Sequence, residues 1–275
     1  MSVSVEKNIQ PCGKLCQVLQ AFEMQSRVIF AIILRETKTR YGEHKIGFVW
    51  LLLEPTMYIL GFAAIRSIAG FHPPHGMDPE LFMLTGMLPF LLFRGLMGQI
   101  ASAIRVNKPL LAFPQVTTFD LIFARALLEF ATIICVFAIL TLILIAFGKD
   151  VDIEYPMQFF GACCLLFISG LGIGAFLGSL IPFVPSLKQF SQHVLSRPLF
   201  FTSGIFFTVD EFPQVVRDIL LYNPLLSMIE LARSAFFKSF ESQYMDIEYA
   251  SLFALLLLVI GLTTHKALHK TAMNL

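Results

Sequence analysis

Charge is what this chain has least of. Asp, Glu, Lys and Arg make up 14% of 275 residues, against about 25% in an ordinary soluble domain. That shortage argues against a water-soluble globule, and a formal net charge of +1 leaves no basic footprint for nucleic acid; no nucleic-acid partner is expected. Cysteine is sparse and scattered. Cys12 and Cys16 lie in the N-terminal segment and Cys135, Cys163 and Cys164 in apolar runs, which fits neither a disulfide framework nor a zinc set. No HExxH sequence occurs, so no metal site is expected. Gly13-Lys14 and Gly148-Lys149 stand without the remainder of a phosphate-binding GxxxxGK[ST] loop. Any ATP-driven step would therefore need a separate hydrolysing subunit. Residues 1–46 also lack the compact apolar region and small-residue cleavage site of a signal peptide.

What is present is hydrophobicity in long blocks. Apolar residues account for 56% of the chain, 29 of the residues are Phe, and the mean hydropathy is +0.75. Six apolar runs, near 47–70, 80–103, 119–147, 157–184, 190–208 and 248–266, each approach the roughly 20 residues that carry a helix across a bilayer. The fifth is the weakest, because Gln189, Gln192, His193, Ser196 and Arg197 crowd its first half. The expected fold is an all-α integral membrane protein with six transmembrane helices over 47–275.

Lys and Arg fall unevenly among the connectors. Residues 1–46 carry Lys7, Lys14, Arg27, Arg35, Lys38, Arg40 and Lys45; Arg105, Lys108, Lys188, Lys266 and Lys270 follow on the same expected side. Residues 71–79 have neither Lys nor Arg, and 148–156 set one Lys against Asp150, Asp152 and Glu154. Positive charge stays on the cytoplasmic side during insertion, so both termini are expected in the cytoplasm. Within 1–46, Leu15, Val18, Leu19, Phe22, Ile29 and Ile33 recur at near-helical spacing between charges. This predicts an amphipathic helix lying in the headgroup layer.

Gly170, Gly174 and Gly178 form two small-xxx-small steps in the fourth run, with Gly172 between them. Inside an apolar segment this predicts close helix packing rather than a dinucleotide loop. Ionisable residues within the runs are costly and therefore informative. Counted from the expected cytoplasmic end, Glu54 and Arg197 lie about 10 Å deep and Arg94 and Glu129 about 13 Å. Pairs Glu54–Arg94 and Glu129–Arg197 (or Arg125) would hold helices in register; the same residues would equally line a hydrophilic path. Arg66, about 28 Å up, is placed to snorkel to the outer headgroups.

Two connectors look specialised. Residues 104–120 are short and hold two prolines, and Asn107-Lys108-Pro109 suits the start of a brief helix on which an ATPase subunit would push. Residues 205–240 are too apolar for a solvated loop and too interrupted by Pro213, Asn223-Pro224 and charges for a span. A pair of half-helices dipping into the outer leaflet, an outer re-entrant helical segment between spans 5 and 6, accounts for both properties.

Arg40-Tyr41, Gly47-Phe48-Val49-Trp50 and Glu54-Pro55, then Ser203-Gly204-Ile205-Phe206-Phe207, Pro213, Tyr222-Asn223-Pro224-Leu225 and Glu230-x-x-Arg233, follow one another in an order that resembles the permease subunit of bacterial ABC exporters of capsular polysaccharide and lipid-linked O-antigen. The likeness is nearest to the capsule branch and covers almost the whole chain; Gly42-Glu43-His44-Lys45-Ile46 departs from it, since members commonly have Leu beside that Gly. The resemblance implies a homodimer with two cytoplasmic ATPase subunits, ATP and Mg bound by those subunits and no cofactor on this chain. It also implies periplasmic and outer-membrane export partners, an inner-membrane location, and a lipid-linked acidic polysaccharide as cargo. It places ATPase coupling at Asn107, Lys108, Pro109, Leu110 and Leu111, and a cytoplasmic gate at Arg40 and Lys45. The expected path adds Trp50, Glu54, Arg94, Glu129 and Arg197. Sugars stack on aromatic faces, which Phe90, Phe93, Phe200, Phe201, Phe206 and Phe207 would offer, although the same rings suit lipid or core. Alternatives are a permease of this architecture for drugs or lipids, and a secondary transporter, for which no internal repeat is visible. A membrane-embedded enzyme is disfavoured because no nucleophile–base or metal constellation is present; Ser203-Gly204 and His193 share one segment without a partner motif.

Overall fold

The computed structural model describes residues 14–41, 46–68, 70, 77–151, 153–237, 240, 242 and 244–273. Among them every regular element is helical, as expected where no water is available to satisfy backbone groups. Helix α1 is Lys14–Tyr41 and α2 Ile46–Ile68. α3 is Pro79–Ala101, followed by the single turn α4 (Ala103–Val106) and a 3₁₀ turn at Lys108–Ala112. α5 is Thr118–Ala146 and α6 Pro156–Leu180. A further stretch runs through α7 (Ser186–Gln189), a π turn at Phe190–Leu195 and α8 (Ser196–Thr202). α9 (Gln214–Leu220), α10 (Pro224–Ser234) and α11 (Ile247–Met273) complete the chain.

Among the described residues four helices are long and apolar enough to cross a membrane: α3, α5, α6 and, within α11, Ile247–Leu268. In α2 the apolar stretch Val49–Phe62 is shorter. Helices α2, α3, α5, α6 and α11 each start within a residue of the predicted run. Pro at the first turn of α3 and α6 and a capping box at α5 mark three of those starts chemically, whereas the fifth begins at Ser186, four residues before its expected start. In that box Thr117 N–H donates to Asp120 Oδ2 at 2.7 Å. The ends differ more. The sixth expected run ends at 266, whereas α11 continues to Met273.

α6 is the centre of the bundle, packed on α3, α11 and α10. The expected glycine seam is there, and it faces α3. A Cβ on Gly170 would lie 2.8 Å from Leu96 Cβ, one on Gly174 2.8 Å from Ile100 Cβ, and one on Gly178 3.2 Å from the Ile100 carbonyl oxygen. Gly172, which lies between the seam positions, serves a second face. A Cβ there would sit 2.5 Å from the carbonyl carbon of Leu257 on α11, and Gly261 presses against Gly172 from the other side. Helix α6 thus has bare backbone towards both neighbours, which lets dispersion contacts replace a hydrophobic driving force that lipid does not supply.

α1 lies along α5. Ile32 is buried and Val28, Ile29 and Ile33 pack on the core, while Phe22, Met24, Phe30 and Leu34 are exposed. The predicted amphipathic pattern is therefore seen from Val28 onward, with Phe22 on the uncovered side.

The predicted fifth run is the one that changes form. It breaks at Thr202, six residues before its drawn end, and is helical only through the π turn. Gly204 follows with φ 72°, a left-handed conformation that favours glycine. The polar motifs further on then assemble as one clamp. Asn223 caps α10 by accepting from Leu225 N–H (3.1 Å) and donates to Thr202 Oγ1 (3.0 Å) and Ser203 Oγ (3.1 Å). Arg233 donates to the Gly204 carbonyl at 2.8 Å with its guanidinium 3.9 Å over the Phe82 ring. Glu230 accepts from Val209 N–H (3.1 Å) and the Ser242 hydroxyl (2.5 Å). Burial pushes the Glu230 carboxyl above its ordinary range, while those two donors pull the other way. Every residue of α10 is buried, so its backbone is covered by protein.

Candidate functional site

Two cavities of about 620 and 640 Å³ share Arg94, Gly98 and Gln192 and so adjoin beside α3 as two parts of one polar hollow. The first is walled by Tyr58 of α2, Phe90 of α3, and His193, Arg197, Phe200 and Phe201 of the broken fifth helix. The second reaches Arg40 of α1, Trp50 and Glu54 of α2, Glu129 of α5 and Lys188 of α7. Of the four charges expected at one depth, Glu54, Arg94 and Glu129 meet in one cavity and Arg197 stands in the adjoining one. Four cations (Arg40, Arg94, Lys188, Arg197) face two carboxylates (Glu54, Glu129) across the combined hollow. Its field is positive and suits an anion.

The predicted pairing of those charges is corrected. Glu129 pairs with Arg40 at 2.9 Å, and Arg125 with Glu36 at 2.9 Å. Among the described residues no ion pair joins Glu54 to Arg94 or Glu129 to Arg197. The reason is neighbourhood: α1, not the fifth helix, lies along α5 and brings its own charges to it. Gly95 creates the space for this contact, since a Cβ there would collide with the Glu129 carboxyl group, 3.0 Å from its Cδ.

A second polar cluster lies at the end of the bundle that carries the 104–120 connector. Arg125 is 3% exposed, and its guanidinium donates to Glu36 Oε1 (3.0 Å) and Oε2 (3.2 Å), the Gln99 carbonyl (2.9 Å) and Ser102 Oγ (3.1 Å). Asn107 donates to Glu36 Oε1 at 2.5 Å and accepts from Arg35 at 3.1 Å. Asn107, grouped at first with the surface that an ATPase subunit would touch, is instead 1% exposed. Lys108 and Pro109 are exposed, while Leu110 and Leu111 are half-buried against the core. The connector is thus anchored by Asn107 and presents Lys108 and Pro109. Only the tertiary fold separates these roles, because both kinds of residue sit within five positions. Gln25 of α1 adds a hydrogen bond to Asp120.

The aromatic residues divide similarly. Phe90 and Phe200 meet edge-on with centroids 5.4 Å apart, Phe200 contacts Phe201 (5.3 Å) and Phe206 (5.0 Å), and Phe206 stacks on Phe62 at 3.9 Å. Phe206 therefore supports the lining rings from behind. Phe207 packs edge-on against Phe212 and Phe93 is buried in the core. Lys45 lies outside the described residues. At the opposite end of the bundle Lys149 bridges Glu80 (3.0 Å) and Asp78 (3.3 Å); its hydrogen bond to Glu80 holds the ammonium above its ordinary value against some desolvation.

Comparison with known proteins places this geometry in context. Residues 27–237 match the ABC-2 type transporter family. The polysialic acid transport protein KpsM of Escherichia coli is 31% identical over 245 residues, covering 89% of this chain and 95% of that protein. The capsule polysaccharide export inner-membrane protein CtrC of Neisseria meningitidis is 32% identical over 248 residues, 89% and 92% of the two chains. The O-antigen export system permease protein RfbA of Klebsiella pneumoniae is 22% identical over 247 residues, 86% and 90%.

Proposed function

Because the chain belongs to the ABC-2 type transporter family, we propose that it is the membrane subunit of an ATP-driven exporter that moves lipid-linked acidic capsular polysaccharide from cytoplasm to periplasm. In this reading it is a multi-pass inner-membrane protein with six spans, α2, α3, α5, α6, the broken α7–α8 stretch and α11, and both termini cytoplasmic. Two copies form the translocating unit. Two cytoplasmic ATPase subunits supply the hydrolysis of Mg-ATP that this chain lacks motifs for, and periplasmic and outer-membrane export proteins take the glycan onward.

The observation that carries the proposal is the positive hollow with aromatic walls. Acidic sugars are attracted by Arg94, Arg197 and Lys188, and ring faces at Tyr58, Phe200 and Phe201 hold sugars without fixing them, which suits a chain that must slide. Arg40, paired with Glu129 at the inner rim, is placed to exchange that carboxylate for an anionic group of the cargo. An apolar cavity of about 350 Å³ lined by Thr37, Leu51, Leu52, Leu128 and Ile139 adjoins it through Leu51 and suits the hydrocarbon of a lipid anchor. By itself that apolar cavity favours a second reading, a permease for lipids or drugs, which the polar hollow does not.

Force from the ATPase subunits enters at Lys108 and Pro109 and passes through Asn107 to Glu36 on α1 and Arg125 on α5. Mild-detergent purification from native membranes with mass spectrometry of co-eluting proteins tests the exporter assignment. An ATPase in equal copy number is expected. A single species whose transport is independent of ATP would overturn it in favour of a secondary transporter.

A further inference from the structure

We infer that the π turn at Phe190–Leu195 is the element that sets the anion preference of the hollow, with Ser196 as its positioning residue; the inference rests on the cavity being the glycan path. Backbone angles through the joints stay helical, −68°/−40° at Gln189, −84°/−47° at Leu195 and −66°/−35° at Ser196, so Ser186 to Thr202 is one helix with one wide turn. Its cause is local. Pro198 lacks an N–H, and its ring would clash with the carbonyl four residues back, at Val194, in a regular α-helix. A wide turn just before it removes that clash. Ser196 then closes the turn, for both its N–H and its hydroxyl donate to the Ser191 carbonyl, the hydroxyl at 3.0 Å. Ser196 is 6% exposed.

The consequence is a matter of register. The polar side chains on the hollow are Gln192 and Ser196 in one row and His193 and Arg197 in another, each continued by Phe200 and Phe201. Residues four apart in an α-helix drift by about 40°, and eight apart by about 80°, enough to turn one end of each row away from a narrow cavity. A π turn drifts in the opposite sense, because its hydrogen bonds close five residues apart. The two drifts offset, and His193, Arg197 and Phe201 stay on the cavity that Arg94 also lines. Preference for an acidic over a neutral sugar depends on Arg197 reaching the same space as Arg94. It therefore depends on this turn.

The test uses the full chain in a cysteine-free background, purified in lipid nanodiscs. Cysteines placed singly as His193→Cys, Leu195→Cys, Arg197→Cys and Leu199→Cys are titrated with a charged, membrane-impermeant thiol reagent. Positions 193 and 197 are expected to react about tenfold faster than 195 and 199, since reagent access governs the rate. Deleting Val194 together with Pro198→Ala, which removes both the extra residue and the clash that calls for the wide turn, is expected to split the pair so that 193 and 197 no longer react alike. An unchanged pattern after the deletion would overturn the role of the turn. In the otherwise native sequence, a hexuronic acid oligosaccharide and its carboxyl-reduced neutral counterpart then compete for binding. Ser196→Ala is expected to erode the preference for the acidic form several-fold and Ser196→Thr, which keeps the hydroxyl, to restore it. Equal preference in all three would overturn the role of Ser196. If neither sugar shields position 193 in the undeleted chain while the reactivity rows persist, the glycan-path reading fails and the selectivity role with it, although the turn's geometric effect would stand.

Discussion

Two polar clusters of this protein are built from the same residue types and treat them oppositely. Around Arg125 each charge meets its partners: Arg125 holds Glu36 bidentately, the Gln99 carbonyl and Ser102, and Glu36 also accepts from Asn107, with Glu36, Asn107 and Arg125 all buried. Around Arg94, on α3 and the broken fifth helix, the charges open onto a hollow, and among the described residues only Arg40–Glu129 is closed there. A satisfied buried network locks helices together, whereas an open one keeps its field available for a ligand. Under the proposed function, the contrast separates residues that hold the bundle from residues that would meet the cargo.

The comparison is broken most severely at the closed cluster. Glu36→Ala leaves Arg125 buried without its carboxylate and is expected to cost about 3–5 kcal/mol, seen as a large drop in the detergent melting temperature and weaker retention of ATPase subunits. Next, Gly95→Ala forces a methyl against the Glu129 carboxyl group. Overpacking of about 1–3 kcal/mol is expected, together with loss of the Arg40–Glu129 contact, measurable as faster modification of a cysteine introduced by Thr37→Cys beside the rim. At the open cluster Arg94→Gln and Arg197→Gln should change stability by no more than about 0.5 kcal/mol while glycan export falls severely. A stability loss equal to that of Glu36→Ala would erase the distinction drawn above. The smallest effect belongs to Lys149→Met, whose half-exposed bridge to Glu80 and Asp78 is worth under about 1 kcal/mol. Because the folded state raises the Lys149 ammonium above 10.5, this contribution is complete below that value and lost as pH rises through the folded-state one. A melting series from pH 8 to 12 should therefore show wild type and Lys149→Met converging at the alkaline end.

Much of the helical layout was legible in the order of residues. Prolines at first turns, the Thr117/Asp120 box and the apolar runs place the starts of α3, α5 and α6 because these signals act within a turn or two of chain. The glycine seam was legible as well, being a spacing on one helix. Three features were not. Gly172 was passed over since its importance comes from Gly261, which lies far along the chain on α11. Asn107 looked like its exposed neighbours, and only Glu36 and Arg35 arriving on α1 bury it. Polar crowding at Gln192, His193 and Arg197 was visible, yet it read as a weak span rather than as the lining of a cavity. Pro198 was the available clue to the wide turn.

The amino-acid order by itself determined that this chain is helical and belongs in a membrane. Both follow from local terms, the cost of placing charge and unpaired backbone in hydrocarbon and the length needed to cross it. Tertiary structure alone decided which charge answers which. Ion pairing within the bundle depends on a few ångströms between helices, and a helix's own sequence says which face is polar but not which neighbour that face will meet. Hence Glu129 answers Arg40, Glu36 answers Arg125, and Arg94 and Arg197 are left facing a space.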